Sequence, residues 1–417
     1  MSRFLFVVPP LTGHTNPTLA LGRELQQRGH AVAWTGHAKI IGPLLDDDAR
    51  LINVGADPDD ELIAGAKLRS QGLRGAAALQ FLWEEFLLPL AASMVPGVEA
   101  AVSAFEPDVL IVDQQAIAGA LVARRRCLPW VTSATTSAEL VDPFDLLPKV
   151  GEWVASSLRQ FQLDFGVPAA EAAVGDLRFS DHLVLAFTTQ ALAGPLRAFP
   201  AHYRFVGPSL GARPLAADFP WEWLGAGRQH VLVSLGTINA PAGRRFLTEA
   251  VEALGSSPLV QGVVVGPPDL GPLPGNVLVR EFVPQLALLP HMDAVVSHAG
   301  HNTVCESLAH GLPLVVAPIR DDQPIVAQQV CDAGAAIRVK FGRVRAPELA
   351  GAIASVLDQP QYRAAAGRLQ ASFLAAGGPV AAATELEGLA DSQGSRRAVR
   401  SGEPGPGRRS TKARLWS

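Results

Sequence analysis

The segment of residues 297–323, SHAGHNTVCESLAHGLPLVVAPIRDDQ, contains the residue types of an anion site followed by those of a sugar site. It leaves a valine-rich strand through a Gly/Asn/Thr turn, enters an apolar helix and ends in an acidic loop. A turn that opens a helix presents unpaired backbone N–H groups and the positive end of the helix dipole, which together attract phosphate. The pattern therefore predicts a ligand that is part diphosphate and part sugar.

The turn and its helix supply side chains for both parts of such a ligand. Gly300 allows a close approach of the backbone, and His298 can donate a further hydrogen bond. Asn302 and Thr303 add side-chain donors in the first helical turn, while Glu306, one turn later, is an acceptor suited to sugar hydroxyls. We therefore expect donors at the diphosphate and a carboxylate at a sugar.

The acidic loop that closes the segment offers three acceptors, Asp321, Asp322 and Gln323. Sugar hydroxyls are fitting partners, because neither lysine nor histidine stands nearby in the sequence to form an ion pair. A structural role is the alternative, in which Asp322 caps a helix ahead of Pro324.

A histidine in the first loop of the chain is a candidate general base. The loop PPLTGHTNPTLAL places His14 just past the carboxyl end of a predicted strand. A histidine with a pKa near 6.5 is suited to proton abstraction at neutral pH. The alternative is a turn or capping histidine, with Asn16 as the N-cap of a helix and Pro17 in its first turn. A GxGxxG dinucleotide motif is missing, since the loop has only Gly13, and this disfavours a nicotinamide-dependent oxidoreductase.

A carboxylate that could orient this histidine follows a later strand. Asp113 ends the strand in PDVLIVDQQ, on the sheet rim where we expect His14, whereas Asp108 precedes the strand and lies at the opposite edge. An adjacent carboxylate holds an imidazole ring in place and stabilises the imidazolium formed on proton abstraction. The pairing follows from sheet polarity, since no spacing along the chain requires it.

Two further strand ends could contact a nucleotide. The strand HVLVSL ends in small and hydroxyl residues that suit phosphate contact: Ser234, Gly236 and Thr237. The sequence REFVPQ places an apolar surface and an amide after another strand, through Phe282, Val283 and Gln285. That arrangement could hold a nucleobase, and a plain strand-to-helix turn explains it equally well.

The elements that must position these residues alternate between apolar strands and helices, which predicts an α/β protein with parallel sheets. The alternation stops in the Pro-, Gly- and Trp-rich residues 206–224 and then restarts. We therefore predict two Rossmann-like domains with a ligand cleft between the carboxyl ends of their strands. The predicted boundaries are a first domain (1–207), a linker (208–226), a second domain (227–378), a last helix (379–390) and a disordered basic tail (391–417).

Composition narrows the class of protein. A chain of 417 residues exceeds one ordinary core, and a net charge of −4 argues against nucleic-acid binding. The three cysteines lack CxxC spacing, which favours reduced thiols in a cytoplasmic protein. The apolar N-terminus reads as a buried strand rather than a secretory signal, and no uninterrupted apolar run predicts a transmembrane anchor.

Together these motifs resemble the nucleotide-sugar-dependent glycosyltransferases of family 1, which have the GT-B fold. The closest similarity is to actinobacterial enzymes that glycosylate macrolides, aromatic polyketides and indolocarbazoles. GHTNP, SLGT, FVPQ, HAGHNTVCES and DDQP carry the resemblance, which covers about residues 1–390. Each motif is moderately specific, and five in the right order at matching strand ends are a strong signal.

The resemblance implies an inverting glycosyltransferase that needs no metal ion or other cofactor. It also implies that the first domain (1–207) binds the acceptor, that the second domain (227–378) binds the nucleotide sugar, and that the last helix (379–390) returns to the first domain. Its donor would be a UDP- or dTDP-sugar, and its acceptor a hydroxyl, or an amide or indole nitrogen, of a lipophilic natural product. The implied residues are His14 and Asp113 as base and partner, Val283 and Gln285 at the nucleobase, Glu306 at the ribose, Thr237, His298, Gly300, Asn302 and Thr303 around the diphosphate, and Asp322 and Gln323 at the transferred sugar.

The acceptor side is less sharply defined. Residues 62–96 form a long apolar region in which Trp83 and Phe86 could line an acceptor pocket, although both could equally be core residues. Transfer to a membrane lipid or sterol and a catalytically silent nucleotide-sugar-binding partner protein remain as alternative functions. His301 stands where plant relatives have tryptophan and many bacterial ones glycine, and the sequence assigns it no role.

Overall fold

The computed structural model describes residues 1–55, 65, 69, 73, 75–140, 148–194, 199–211, 218–236 and 243–401. They form two separate sheets whose strands all run parallel, as predicted. We call the part of the chain built on the first sheet (residues 1–207) the first half and the part built on the second sheet (residues 227–378) the second half. The predicted pair of Rossmann-like sheets is confirmed.

The first sheet has the strand order β3-β2-β1-β4-β5-β6-β7. Its central strands β1, β4 and β5 are mainly apolar and buried along almost their whole length, because helices cover both faces. The strands are β1 (Arg3–Val7), β2 (Ala31–Gly36), β3 (Leu51–Asn53), β4 (Val109–Asp113), β5 (Trp130–Ala134), β6 (Val184–Ala186) and β7 (Tyr203–Phe205). The order reverses direction at β1 and β4, which is where open parallel sheets bind ligands.

The second sheet has the order β10-β9-β8-β11-β12-β13 and reverses at β8 and β11. Its strands are β8 (Gln229–Ser234), β9 (Val260–Val265), β10 (Val277–Arg280), β11 (Ala294–Ser297), β12 (Leu314–Val316) and β13 (Ala336–Arg338). The motifs at residues 234–236 and 297–303 therefore leave adjacent strands at one rim of this sheet.

Helices cover both sheets and join their strands. Those of the first half are α1 (Thr12–Gln27), α2 (Ala38–Ile41), α3 (Ala76–Gln80), α4 (Leu88–Phe105), α5 (Ile117–Arg125), α6 (Pro148–Asp164), α7 (Ala169–Ala172) and α8 (Gln190–Ala193). The later ones are α9 (Arg244–Gly255), α10 (Gln285–Leu288), α11 (His301–Ala309), α12 (Gln323–Asp332), α13 (Ala346–Asp358), α14 (Pro360–Ala376) and α15 (Gly378–Ser401).

Helix α1 begins earlier than the sequence predicts. Its N-cap is Leu11, whose carbonyl accepts from the N–H groups of His14 and Thr15 at 3.0 and 3.1 Å. His14 therefore lies in the first helical turn, and Asn16 and Pro17 lie inside the helix, so Asn16 is not the N-cap. Pro17 costs the helix one hydrogen bond, the one that an N–H at this position would donate to the carbonyl of Gly13.

One helical stretch, Ala77–Phe105, is long and apolar enough to cross a membrane by length and composition. It includes a π-helical segment, Phe81–Leu87, followed by α4. Met94 and Val98 of α4 are completely buried in the core of the first half, as expected of a helix that covers a sheet.

The final helix, α15, returns to the first half, as the resemblance implies. Ala383 and Leu386 are completely buried against the first sheet, and Glu387 accepts from Arg28 at 2.7 Å. The helix extends to Ser401, beyond the predicted start of the tail at Asp391, and residues 402–417 lie outside the described part.

Candidate active site

His14 and Asp113 meet at the rim of the first sheet. Asp113 ends β4, and His14 follows β1 in α1; these are the two strands between which the strand order reverses. His14 Nδ1 lies 2.9 and 3.0 Å from the two carboxylate oxygens of the completely buried Asp113 side chain. Nε2 has no hydrogen bond to the described protein and is the nitrogen left for a substrate. The geometry suits a base held by a carboxylate, although the catalytic roles stay predictions.

Thr135 completes this pair and was missed by the sequence analysis. Its hydroxyl donates to Asp113 Oδ2 at 2.9 Å and lies 2.9 Å from His14 Nδ1. The backbone N–H of Gln115 donates to Asp113 Oδ1 at 2.8 Å. These contacts lock the carboxylate in place, so that the ring of His14 has one fixed anchor.

Opposing influences act on the pKa of His14. Burial is the largest and lowers it, but the charge and hydrogen bond of Asp113 raise it, helped by the more distant carboxylates of Asp322 and Glu139. Together the carboxylates outweigh burial, and the pKa of His14 is raised above its ordinary value of 6.5. His14 is therefore a stronger base than an ordinary histidine, and its ring is fully neutral only at a pH above this raised pKa.

On the opposite side, His298 is enclosed between two glycines of the second half. A Cβ at Gly236 would lie 2.8 Å from His298 Cε1, and a Cβ at Gly300 would lie 2.4 Å from Nε2. Ala299, which stands between His298 and Gly300 in the sequence, is completely buried. Its φ of 66° is a backbone conformation that L residues seldom adopt. The chain thus packs the ring directly against two backbone segments at the rim of the sheet.

The electrostatics of His298 suit a contact with an anionic ligand. Burial lowers the pKa of His298 to about 4, so the ring is neutral at pH 7. Its Nδ1 atom is buried and has no hydrogen-bond partner in the described part of the chain. The contact of His298 with a diphosphate stays a prediction.

We expect Gly300→Ala to weaken nucleotide binding about 10- to 100-fold, since the added methyl displaces His298 and overpacking of this kind costs about 1–3 kcal/mol. Titration calorimetry with UDP and dTDP measures the change. Gly275→Ala is the control, because a Cβ at Gly275 has no heavy atom within 4 Å. Equal affinities in the two variants would contradict a tight requirement for glycine at position 300.

The predicted nucleobase and ribose residues are linked to each other. Gln285 opens α10 and donates through Nε2 to Glu306 Oε2 at 2.6 Å. Val283 is partly buried against the core of the second half, whereas Phe282 is 72% exposed. The structure therefore brings Gln285 and Glu306 together beside a partly apolar surface, and their ligand contacts stay predictions.

The acidic loop faces the first half. Asp322 accepts from Thr136 Oγ1 at 2.6 Å and makes no side-chain cap bond to α12, so the capping alternative does not hold. Gln323 Oε1 accepts from the backbone N–H groups of Ile319 and Arg320 at 2.9 and 3.2 Å and so closes the loop on itself. Of the two predicted sugar residues, Asp322 thus lies at the interface between the halves, whereas Gln323 bonds within its own loop.

Asn302 also reaches across the cleft. Its Nδ2 donates to the carbonyl of Gly13 at 2.7 Å. That carbonyl is free within α1 because Pro17, four residues later, has no N–H to donate. Thr303 and Ser234 are buried beside this region, whereas Thr237 lies outside the described residues.

The two predicted acceptor residues differ in their surroundings. The Trp83 side chain is 3% exposed and belongs to the core of the first half, which supports the core alternative for this residue. Phe86 is partly buried at the edge of the same core. Within the predicted acceptor region, residues 62–64, 66–68, 70–72 and 74 lie outside the described residues.

Glu139 is a partly buried carboxylate that no sequence motif marks. Its Oε2 has no hydrogen bond in the described part of the chain and lies 4.0 Å from Arg178 Nη1. Burial raises the pKa of Glu139 to about 7, and the charge of Arg178 only partly offsets this. The folded state therefore favours the protonated carboxyl, and its ionisation costs stability as the pH rises from about 4.5 to about 7.

Glu139→Gln cannot ionise, and we expect it to exceed the parent in free energy of unfolding by about 2 kcal/mol at pH 8 but not at pH 4. Urea denaturation at the two pH values measures the difference. The exposed Glu252 supplies the control variant, Glu252→Gln. A pH-independent difference between Glu139→Gln and the parent would rule out this source of destabilisation.

Comparison with known proteins agrees with the arrangement of the two halves. Residues 262–389 match the family described as "Erythromycin biosynthesis protein CIII-like, C-terminal domain". Demethyllactenocin mycarosyltransferase of Streptomyces fradiae is 32% identical over 93% of this chain and 87% of its own length. 4'-Demethylrebeccamycin synthase of Lentzea aerocolonigenes is 29% identical over 93% of this chain and 99% of its own.

A solved structure, that of the glycotransferase of kitacinnamycin, is similar over the same span. It is 27% identical with a TM-score of 0.74, covering 93% of this chain and 98% of its own. The similarity therefore includes both sheets and the cleft between them, and it confirms the predicted resemblance and GT-B fold. The chain is an enzyme that belongs to the GT-B family of natural-product glycosyltransferases.

Proposed function

We propose that this enzyme transfers a hexosyl or deoxyhexosyl group from a UDP- or dTDP-sugar to a hydroxyl, or an amide or indole nitrogen, of a lipophilic natural product. We further propose that transfer inverts the anomeric centre and needs no metal ion. The observation that carries the proposal is the contact of His14 with Asp113, held at 2.9 Å at a rim that faces the loops of the second half.

On the acceptor side, the proposed reaction is one displacement. His14 Nε2 removes the proton from the acceptor hydroxyl as its oxygen attacks the anomeric carbon, and the bond to the diphosphate breaks on the opposite face. The imidazolium that forms lies against the carboxylate of Asp113, which stabilises its charge. The raised pKa of His14 supports this role.

On the donor side, the leaving diphosphate would be held by neutral hydrogen-bond donors. The N-terminus of α11, starting at His301, offers unpaired backbone N–H groups and a favourable dipole, and His298 lies beside it. These groups can stabilise the charge of a leaving diphosphate without a cation. Asp322 lies close enough to Thr136 of the first half for a sugar held there to face His14.

A lipophilic small-molecule acceptor is supported by the names of two relatives, which refer to demethyllactenocin and to a rebeccamycin derivative. The apolar composition of the first half is compatible with such a molecule. Free Cys127, Cys305 and Cys331 are consistent with the cytoplasm as the site of reaction.

A thermal-shift panel of nucleotide sugars, followed by a mass-spectrometric acceptor screen with the stabilising donor, tests the proposal. The expected result is a product heavier than the acceptor by one glycosyl group, with the anomeric configuration opposite to that of the donor by NMR. Activity should persist in EDTA. Retention of the anomeric configuration would overturn the proposed inversion. Loss of activity in EDTA that Mg²⁺ restores would overturn the proposed independence of metal ions.

A further inference from the structure

A chain of buried hydrogen bonds joins the two halves beside the candidate site, and each bond in it crosses the interface. The Phe187 carbonyl in the first half lies 3.3 Å from His301 Nε2 in the second half. His301 Nδ1 lies 3.3 Å from Ser137 Oγ, which donates to Gln329 Oε1 at 2.5 Å. Gln329 Nε2 then donates to the Ala193 carbonyl at 3.3 Å.

The side chains that form these hydrogen bonds are shielded from water. Ser137 is completely buried, and His301 and Gln329 are 6% and 8% exposed. Burial lowers the pKa of His301, so the ring is neutral. Because the Ser137 hydroxyl donates its one proton to Gln329 Oε1, its oxygen accepts from the N–H of His301 Nδ1. The neutral ring then has no proton on Nε2, which lies 3.3 Å from the Phe187 carbonyl and 3.4 Å from Cys305 Sγ. Loss of one member leaves buried polar atoms unpaired, which is costly.

This series of hydrogen bonds is also linked to the candidate catalytic residues, because three consecutive residues of the first half supply the contacts. Thr135 bonds to His14 and Asp113, Thr136 bonds to Asp322, and Ser137 begins the contacts with His301. Neighbouring Cα atoms are about 3.8 Å apart, so a displacement of Ser137 also moves the residues that hold the base and the acidic loop.

We propose that Ser137 and His301 are positioning residues that hold the two halves at the spacing at which His14 faces a sugar bound at Asp322. The proposal rests on the proposed function for the roles of His14 and Asp322. It assigns His301 to the interface between the halves, where it bonds to the first half rather than to a diphosphate.

Ser137→Ala and His301→Leu test this proposal against Ser307→Ala, a control that removes an equally buried hydroxyl bonded only within its own helix. We expect kcat to fall about 10- to 100-fold in both test variants, because misplacement by about 1 Å has effects of this size. Affinity for UDP and dTDP, measured by calorimetry, should change less than about 3-fold. The double variant should be no worse than the poorer single variant, as expected for coupled residues.

Hydrogen exchange provides a readout that does not depend on transfer. Amides of β6 (Val184–Ala186) and α12 (Gln323–Asp332) should exchange faster in Ser137→Ala than in the parent, and at the parental rate in Ser307→Ala. If His301→Leu does not fold, Ser137→Ala alone decides. Ser137→Ala that matches the control in exchange and kcat would overturn the proposal, as would a nucleotide affinity that falls as far as kcat.

The same experiment separates this proposal from the proposed function. If parent and control transfer no sugar from any donor, the proposed function fails. Faster exchange confined to Ser137→Ala and His301→Leu would then still support the interface role, whereas unchanged exchange would overturn it. The conclusion that Ser137 and His301 position His14 requires both results, a fall in kcat and faster hydrogen exchange.

Discussion

Replacing His14 with alanine is expected to lower the rate of sugar transfer by about 10²- to 10⁴-fold, the usual contribution of a positioned general base. The acceptor hydroxyl would then have to lose its proton to water in the transition state. Affinity for UDP and dTDP should remain within about 3-fold of the parent, because the predicted diphosphate contacts lie in the second half. Steady-state kinetics and calorimetry measure the two quantities.

The exposed His291 gives the matched control for this experiment. It lies in a short 3₁₀ turn (Leu289–His291) that precedes β11, at the end of the second sheet away from the cleft. His291→Ala should transfer sugar at the parental rate. Near-normal turnover by His14→Ala would end the assignment of His14 as the base, and a comparable loss in both variants would point to a general effect on folding.

Asp113→Asn is expected to lower kcat/KM by about 10²- to 10⁴-fold, because an amide neither holds the His14 ring in the same tautomer nor stabilises the imidazolium. The pH dependence should change as well. His14 acts as a base when neutral, and the negative charge of Asp113 raises its pKa. Without that charge the pKa of His14 falls, so the acidic limb of the kcat/KM profile should move to lower pH.

Asp108→Asn makes the same chemical change at the other end of β4. Asp108 accepts from the backbone N–H of Arg3 at 2.9 Å, at the sheet edge remote from the cleft. Its pH profile should match that of the parent. An Asp113→Asn profile with an unmoved acidic limb would show that the titration belongs to another group.

The fold and the pairing of His14 with Asp113 could be predicted from the sequence, because parallel sheets obey strict geometry. Strands that are apolar throughout must be covered on both faces, and residues after adjacent parallel strands must share one rim. His14 and Asp113, 99 positions apart in sequence, therefore meet at 2.9 Å. The start of α1 was predicted late, since Asn16 and Pro17 carry the usual signals of a helix beginning, whereas the observed N-cap, Leu11, has no side chain that can cap a helix.

The hydroxyl residues after β5 could not be assigned from the sequence. Thr135, Thr136 and Ser137 look like any polar strand end, and their partners depend on how the two halves meet. The bond from Thr136 to Asp322 spans 186 positions, and that from Ser137 to Gln329 spans 192. No local periodicity encodes such distances, so the contacts across the cleft emerge only from the assembled structure.

The returning helix α15 matters for the construction of hybrid enzymes. Although it follows the second sheet in the chain, its Ala383 and Leu386 are part of the core of the first half. A chimera that exchanges everything after the linker would replace this helix with one whose side chains evolved against another partner. A second crossover just before Gly378 would return the native helix to its own half, so recombination of donor and acceptor specificities calls for two junctions rather than one.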